Sequence, residues 1–194
     1  MARPLAFDPQ EKLHQAMMLF WRHGYEATSL QDLVSELKIN RFSLYNTFGD
    51  KQALFAKTVD LYEQKVFGSL LEALKNGAGG AKALNHYFDQ LSRGLCEQTG
   101  VKGCFLQNTL LEGGVSDEAV IERIRGVFLR LRAALLKNVE QMKALGEVKP
   151  EVASDEMADF LLLQVQGLIA LHGLGVGDQA QSALRHLRRQ LLPD

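Results

Sequence analysis

Residues 24–55 read GYEATSLQDLVSELKINRFSLYNTFGDKQALF, and this stretch decides the fold. Thr28 and Ser29 are good helix caps, and the apolar residues that follow recur at helical spacing as far as residue 37. A second short helix is predicted from residue 41 to residue 48, and only three residues separate the two helices. Two short helices joined by so tight a turn form a helix-turn-helix.

The second helix of this motif is predicted to have one buried face and one exposed face. Leu44 and Phe48 are expected to face inward, while Arg41 and Ser43 stand at the leading end. In the turn before it, Asn40 is expected to adopt the awkward backbone conformation, because asparagine tolerates the left-handed region. The motif therefore presents an exposed helix on a small apolar scaffold.

Apolar periodicity on both sides of the motif predicts an all-α chain of about nine helices. The first helix begins at Asp8 and Pro9, an N-cap followed by a proline, and ends at Gly24. A long helix starts at Lys51, so the motif continues into the rest of the chain without a flexible linker. After the motif, helices are expected at residues 51–75, 81–98, 105–112, from Asp117 past Met142, 153–172 and 178–192.

The composition limits the class of protein. With 46% apolar residues and only 4 prolines in 194 residues, the chain can bury a core and suits helices. The formal net charge of -1 provides no global positive field, so a nucleic-acid partner has to be argued from motif geometry. The 2 cysteines fit neither a disulfide framework nor a zinc spacing, which agrees with a reducing compartment.

Two segments of the sequence bear on localisation. The N-terminal residues lack the long apolar stretch that a signal peptide needs. Residues 160–176 are the most apolar segment, but Gln164, Gln166 and His172 interrupt it, so we interpret it as a buried helix and not as a membrane span. We therefore expect a cytoplasmic protein without a membrane partner.

The ordered set of short motifs in residues 24–55 resembles the signature of the TetR family of transcriptional regulators. The matching elements are Gly-Tyr at the end of the first helix, Thr-Ser, the Leu-Tyr-x-x-Phe core at residues 44–48 and Asp-Lys-x-x-Leu at residues 50–54. The resemblance implies a homodimeric repressor that binds a pseudo-palindromic double-stranded DNA operator and is released by a small-molecule effector. It also implies a helix-turn-helix DNA-binding domain at residues 1–50 and a ligand-binding and dimerisation domain at residues 51–194.

Side chains on the second helix of the motif are candidates for reading base edges. Arg41 can form a bidentate pair with guanine, and Ser43 can bond to several bases. Phe42 either contacts a thymine methyl group or is buried in the head, as we call the helix-turn-helix domain at residues 1–50. Asn46 and Thr47 are additional candidates on the outer face.

Phosphate contacts are expected around the same helix. Thr28 and Ser29 lie where a helix N-terminus can hold a phosphate, although Thr28 is alternatively only an N-cap. Tyr45 and Lys51 resemble phosphate-contacting positions of the family. The predicted DNA-binding residues are Thr28, Ser29, Arg41, Phe42, Ser43, Tyr45, Asn46, Thr47 and Lys51.

Polar residues on otherwise apolar helices are candidates for an effector pocket. The sequence GCFLQN at residues 103–108 resembles a string near the ligand cavity in one branch of the family. Each polar residue is alternatively a satisfied buried group or a dimer contact. The predicted ligand-binding residues are Cys104, Phe105, Gln107, Asn108, Leu111, Gln164 and His172.

The last two predicted helices are expected to form the dimer. The helix at residues 153–172 is apolar nearly all round, which calls for more partners than one subunit provides. With the helix at residues 178–192 and the symmetry mates, it would form a four-helix bundle. Effector binding is expected to tilt the helix that begins at Lys51. This tilt would move the second helices of the two helix-turn-helix motifs in the dimer off the spacing of the DNA grooves.

Two other functions stay open. Cys104 is alternatively a thiol sensor of electrophiles or oxidants, and a ligand-binding helical enzyme is a further alternative.

Motifs for catalysis and metal binding are weak. The Ser35–Lys38 spacing lies inside a helix and lacks the companion motifs of hydrolases. The 5 histidines show no metal-ligand spacing with carboxylates. We therefore expect no catalysis, no metal and no cofactor.

Overall fold

The computed structural model describes residues 7–75, 79–97, 100–101 and 103–191. Within these residues the chain is all-helical, with nine helices if the interrupted α4 is counted as one, and this confirms the predicted fold class. No helix in the described ranges is long and apolar enough to cross a membrane. Most of the predicted loop at 76–80 and the predicted helix ends at residues 98 and 192 lie outside these ranges. The helices are α1 (Pro9–His23), α2 (Leu30–Leu37), α3 (Arg41–Phe48), α4 (Lys51–Tyr62, a π-helical turn at Glu63–Phe67, then Gly68–Lys75), α5 (Gly80–Glu97), α6 (Phe105–Glu112), α7 (Glu118–Ala144), α8 (Ser154–Gly173) and α9 (Gly177–Leu191).

Side-chain caps determine where the first four helices begin. Asp8, Asn40 and Asp50 each accept a hydrogen bond from a backbone N–H in the first turn of α1, α3 and α4. Ser29 caps α2 in a reciprocal capping box: its Oγ accepts from Asp32 N at 3.1 Å, and the Asp32 carboxylate accepts from Ser29 N at 2.8 Å. These local hydrogen bonds confirm the predicted starts of α1, α3 and α4.

The turn between α2 and α3 differs from the prediction in the residue that adopts the left-handed conformation. Lys38, not Asn40, has φ 52° and ψ 39°. Asn40 is extended, with φ -76° and ψ 161°, because its Oδ1 caps α3 by accepting from Ser43 N at 2.8 Å. An N-cap residue needs extended backbone. The capping role of Asn40 therefore leaves the left-handed position to Lys38.

The helices pack into two compact units. The first unit comprises the chain up to Lys65 together with Phe105–Ile124, and the second comprises Val66–Cys104 together with the chain from Arg125 onward. α4 and α7 each continue from one unit into the other, and the π-helical turn of α4 lies at such a crossing. This packing division is distinct from the functional division predicted at residue 50.

An aromatic cluster forms the core of the first unit. The Phe55 ring of α4 lies 5.0 Å from Phe20 of α1 and 5.6 Å from Phe105 of α6, between ring centroids. Tyr62 of α4 packs edge-on against Trp21 of α1 at 5.1 Å. Edge-to-face packing of this kind adds to the free energy of burial. The cluster joins α1, α4 and α6 within the first unit.

In the second unit, α5, the C-terminal part of α7, α8 and α9 pack around an apolar core. Arg132 of α7 donates to Asp159 of α8 at 2.6 Å, and Arg188 of α9 donates to Asp89 of α5 at 2.7 Å. Surface ion pairs contribute little to stability, so apolar burial holds this unit together. Its buried residues include Leu84, Phe88, Leu131, Leu135, Val165 and Leu184.

Candidate nucleic-acid interface and ligand-binding residues

α3 places its buried and exposed residues on opposite faces. Leu44 and Phe48 are 0% and 3% exposed and face the interior of the first unit. On the outside, Phe42 is 75% exposed and Tyr45 is 40% exposed, and Asn46 is exposed as well. Of the two alternatives for Phe42, burial in the head is therefore wrong. The outer face offers aromatic, amide and, from Arg41, guanidinium groups.

Lys57 of α4 holds the C-terminal end of α3. Its Nζ donates to Phe48 O at 3.0 Å and to Thr47 O at 3.4 Å. A cation at this end satisfies free carbonyl groups and interacts favourably with the helix dipole. Sequence reasoning missed Lys57, because its role depends on the angle between α3 and α4. With the Asn40 cap at the other end, side-chain hydrogen bonds hold both ends of α3.

Two cationic side chains, one at the start of α3 and one at the start of α4, lie over aromatic rings. The Arg41 guanidinium carbon is 5.8 Å from the centroid of Tyr45, and Lys51 Nζ is 4.3 Å from the centroid of Tyr25. Burial lowers the pKa of Lys51, and the Glu26 carboxylate opposes this shift. A phosphate near Lys51 would act in the same direction as Glu26, because a nearby anion favours the charged amine.

The hydroxyl groups predicted to contact DNA differ in their access to solvent. Thr28 is 1% exposed, and its hydroxyl donates to Gly24 O at 2.6 Å. It does not cap α2, because Ser29 occupies that position and is exposed. Ser43 is half-buried, and so is Thr47, whose hydroxyl oxygen is buried without a hydrogen-bond partner among the described residues. The accessible surface therefore centres on the outer face of α3.

Four of the predicted ligand-binding residues lie on α6, in the first unit. Phe105 is part of the aromatic core, and Gln107 and Asn108 are half-buried. Leu111 is 78% exposed, which contradicts its expected place in an enclosed pocket of this chain. The reason is periodicity: Phe105 and Thr109 form the buried face of this short helix, and Leu111 lies on the other side.

The other three predicted ligand-binding residues lie in the second unit. Cys104 is 2% exposed and lies near Tyr87, which is 1% exposed. Burial raises the pKa of the Tyr87 phenol, and the charge of a Cys104 thiolate would raise it further. Gln164 and His172 are half-buried on α8. The structure thus brings Cys104 together with Tyr87, a residue that sequence reasoning missed.

Asn138 of α7 is a second residue that sequence reasoning missed. It is 1% exposed, and neither atom of its amide has a hydrogen-bond partner in the part of the chain that the structure describes. A buried amide without a partner is unfavourable by about 1–3 kcal/mol. The sequence did indicate this residue, because Asn138 continues the apolar spacing of Leu131, Leu135 and Met142.

Across the described ranges, no group of three or more His, Cys, Asp or Glu side chains could hold a metal ion.

The two thiols are expected to differ in reactivity. Cys96 is exposed and Cys104 is buried, so Cys96 should react with iodoacetamide at least about tenfold faster, because Cys104 must wait for local opening. Mass spectrometry of peptides from timed, quenched reactions measures both rates, and denatured protein provides the control in which the rates converge. Rapid alkylation of Cys104 in the folded protein would favour the sensor-thiol alternative instead.

Comparison with known proteins gives a consistent result over both halves of the chain. Residues 13–58 match the profile of bacterial regulatory proteins of the tetR family, and residues 80–189 match the tetracyclin repressor-like C-terminal domain. The chain is 30% identical over 168 residues to the HTH-type transcriptional repressor ComR of Escherichia coli (strain K12), which covers 86% of this chain and 80% of that protein. It is 31% identical over 151 residues to the uncharacterized HTH-type transcriptional regulator YezE of Bacillus subtilis (strain 168), which covers 78% of each chain.

Solved structures share the fold at lower identity. A cysteine mutant of the TetR-family regulator CifR in complex with 26-base-pair operator DNA has a TM-score of 0.76 at 22% identity, over 97% of this chain and 98% of that one. The reduced form of E. coli NemR has a TM-score of 0.80 at 16% identity, over 93% and 95% of the two chains. At such identities the likeness is one of fold.

Proposed function

The chain belongs to the TetR family of bacterial regulatory proteins, and from this premise we propose that it is a homodimeric transcriptional repressor of the cytoplasm. Residues 1–50 bind a pseudo-palindromic double-stranded DNA operator, and residues 51–194 dimerise and bind a small-molecule effector that releases the DNA. The observation that carries the proposal is the outer face of α3, a helix held at both ends with Phe42, Tyr45 and Asn46 exposed.

The charges around α3 support contact with DNA. The chain as a whole has a formal net charge of -1, so binding depends on local cations. Arg41 stands at the leading end of α3, where residues of a recognition helix reach base edges, and Lys51 begins the next helix, where it can meet a phosphate. In a dimer the two α3 helices would enter successive major grooves, about 34–36 Å apart.

An apolar stripe on α8 supports dimerisation. Phe160 and Leu163 of α8 are 42% and 69% exposed, and Leu174, the C-cap residue that follows α8, is 77% exposed. Gly167 and Ala170 lie between them and are exposed too. These five positions alternate spacings of three and four residues, as in a seam between packed helices. Apart from its chain neighbours and the backbone of its own helix, no atom of the described residues lies within 4 Å of the place where a Cβ on Gly167 would stand, so a partner helix can approach closely. The outward side chains of α9 are mainly polar, so α8 supplies the apolar area.

Buried polar groups in the second unit support a site for a mostly apolar effector. The unpartnered amide of Asn138 offers both a donor and an acceptor inside an apolar core, and Tyr87 adds a buried hydroxyl group. Such groups fix the orientation of a ligand, and a ligand would in turn supply the missing hydrogen bonds. Gln164 and His172, half-buried on α8, remain further candidates. This arrangement favours an uncharged effector with its own donor and acceptor.

α4 is the element through which we propose that the effector acts. It begins at Lys51, directly after α3, and continues from the first unit into the second, with a π-helical turn at Glu63–Phe67. The proposed mechanism has two conformations of the protein, one that binds DNA and one that does not. To reverse an equilibrium that strongly favours the DNA-binding conformation, the effector must bind the other conformation more tightly by roughly 5.5 kcal/mol. The effector must therefore contact elements that move. X-ray scattering that gives the same head separation with and without effector would contradict this mechanism.

Arg41→Ala and Lys51→Gln test DNA binding through different contacts. On a duplex selected from a randomised pool, Arg41→Ala is expected to weaken binding by about 1–3 kcal/mol and to relax the preference at one base. Lys51→Gln should weaken binding to all duplexes and reduce the slope of log affinity against log salt by about 1. Lys137→Gln, at an exposed lysine of α7, is the matched control. Equal salt slopes for Lys51→Gln and Lys137→Gln would count against the proposed phosphate contact.

Asn138→Leu tests the proposed effector site. Replacing a buried, unpartnered amide with an apolar group of similar shape should raise the free energy of unfolding of the free protein by about 1–3 kcal/mol. The same change should abolish the thermal shift that library compounds give with the wild-type protein. A variant that unfolds earlier than the wild type, or that keeps the thermal shifts, would refute the role of Asn138.

A further inference from the structure

The outermost side chains of α3 form a pair with two different chemistries. Each residue turns a helix by about 100°. The direction opposite the buried Leu44 and Phe48 is therefore occupied by Phe42 and Asn46, which lie four residues apart on one face. Both are exposed, Phe42 to 75%. These are the side chains that lead when α3 approaches another surface.

Phe42 has the chemistry of a methyl-group reader. A phenyl ring that is 75% exposed leaves a large apolar area in water, which is unfavourable until a partner covers it. On the base edges of the major groove, the apolar feature is the C5-methyl group of thymine. A ring at the second position of α3 can cover that methyl group, whereas it can form no hydrogen bond with guanine or cytosine.

Asn46 adds a hydrogen-bonding reader beside the ring. An asparagine amide pairs with adenine by accepting from N6 and donating to N7. The helical rise places the Phe42 and Asn46 side chains about 6 Å apart along the axis of α3. That distance is less than two base steps of about 3.4 Å each. One face of α3 can thus contact two neighbouring positions of the same half-site.

We propose that Phe42 and Asn46 select half-sites in which a thymine methyl group and an adenine that belongs to a different base pair lie within about two base steps of each other. This inference rests on the proposed DNA-binding function and specifies its base preference. It is independent of the guanine contact expected of Arg41, because that side chain starts from a different face of α3.

Base analogues test the pair atom by atom. The full-length protein first selects a duplex from a randomised pool, and each thymine of its half-sites is then replaced with deoxyuridine, which lacks only the methyl group. At one position the wild-type protein should lose about fourfold in affinity per half-site, the value for one buried methyl group, and Phe42→Ala should lose nothing further. At a neighbouring adenine, 7-deazaadenine should weaken the wild-type protein about tenfold and leave Asn46→Ala unaffected.

The outcomes separate this inference from the proposed function. A selected duplex that tolerates both analogues, or a deoxyuridine penalty that persists in Phe42→Ala, overturns the inference while DNA binding stands. Selected half-sites that lack a thymine and an adenine in two different, neighbouring base pairs also overturn the inference while DNA binding stands. A pool from which the folded protein selects no duplex contradicts the proposed function itself, and the inference falls with it. Unfolding midpoints of both variants establish that the exposed substitutions leave the fold intact.

Discussion

Leu163→Asp is expected to convert the proposed dimer into monomers at micromolar concentration. Leu163 lies in the middle of the α8 stripe and is 69% exposed in the single chain. In the proposed dimer both copies lose contact with water, and a carboxylate there would have no partner. A loss of about 2 kcal/mol from each copy raises the dimer dissociation constant roughly 1000-fold. Light scattering coupled to size exclusion measures the mass directly.

Leu129→Asp is the matched control for this substitution. Leu129 lies on α7, outside the stripe, and is 65% exposed. It should leave the dimer intact. Because two linked half-site contacts bind more tightly than one by about 10²–10⁴, Leu163→Asp should also weaken binding to a full operator without altering α3. Dimeric Leu163→Asp protein, or monomers that bind a full operator with wild-type affinity, would contradict the proposed assembly.

The helix-turn-helix could be predicted in detail because local interactions determine it. Asp8, Asn40 and Asp50 each form a hydrogen bond with a backbone group two or three residues away, so the sequence alone indicates where a helix begins. The error in this region was local as well. Asparagine suits both an N-cap and a left-handed turn, so the sequence alone could not decide which of these roles Asn40 takes. In the structure Asn40 is the N-cap, and Lys38 takes the left-handed position.

The candidate effector site could be predicted less well because tertiary contacts determine it. Leu111 was among the predicted ligand-binding residues, yet the short α6 turns it outward. Tyr87 lies near Cys104 through the packing of α5, a pairing that no sequence spacing indicates. The π-helical turn of α4 also had no recognisable signal, because apolar spacing continues through residues 51–75.

Phe55→Ala is expected to lower the free energy of unfolding by about 3–5 kcal/mol. Phe55 is 1% exposed, and its ring centroid lies 5.0 Å from Phe20, 4.7 Å from Tyr25 and 5.6 Å from Phe105. Truncation removes these contacts and leaves a cavity that rigid neighbouring rings cannot fill. Denaturant unfolding followed by circular dichroism measures the change, at one fixed protein concentration because the proposed dimerisation would contribute to stability.

Phe42→Ala is the matched control, since it makes the same substitution one helix away at a ring that is 75% exposed. It should change the free energy of unfolding by no more than about 0.5 kcal/mol. The two phenylalanines differ in burial: the Phe55 ring packs against rings of α1 and α6, whereas most of the Phe42 ring is exposed. If Phe55→Ala unfolds no earlier than Phe42→Ala, the aromatic cluster does not stabilise the first unit.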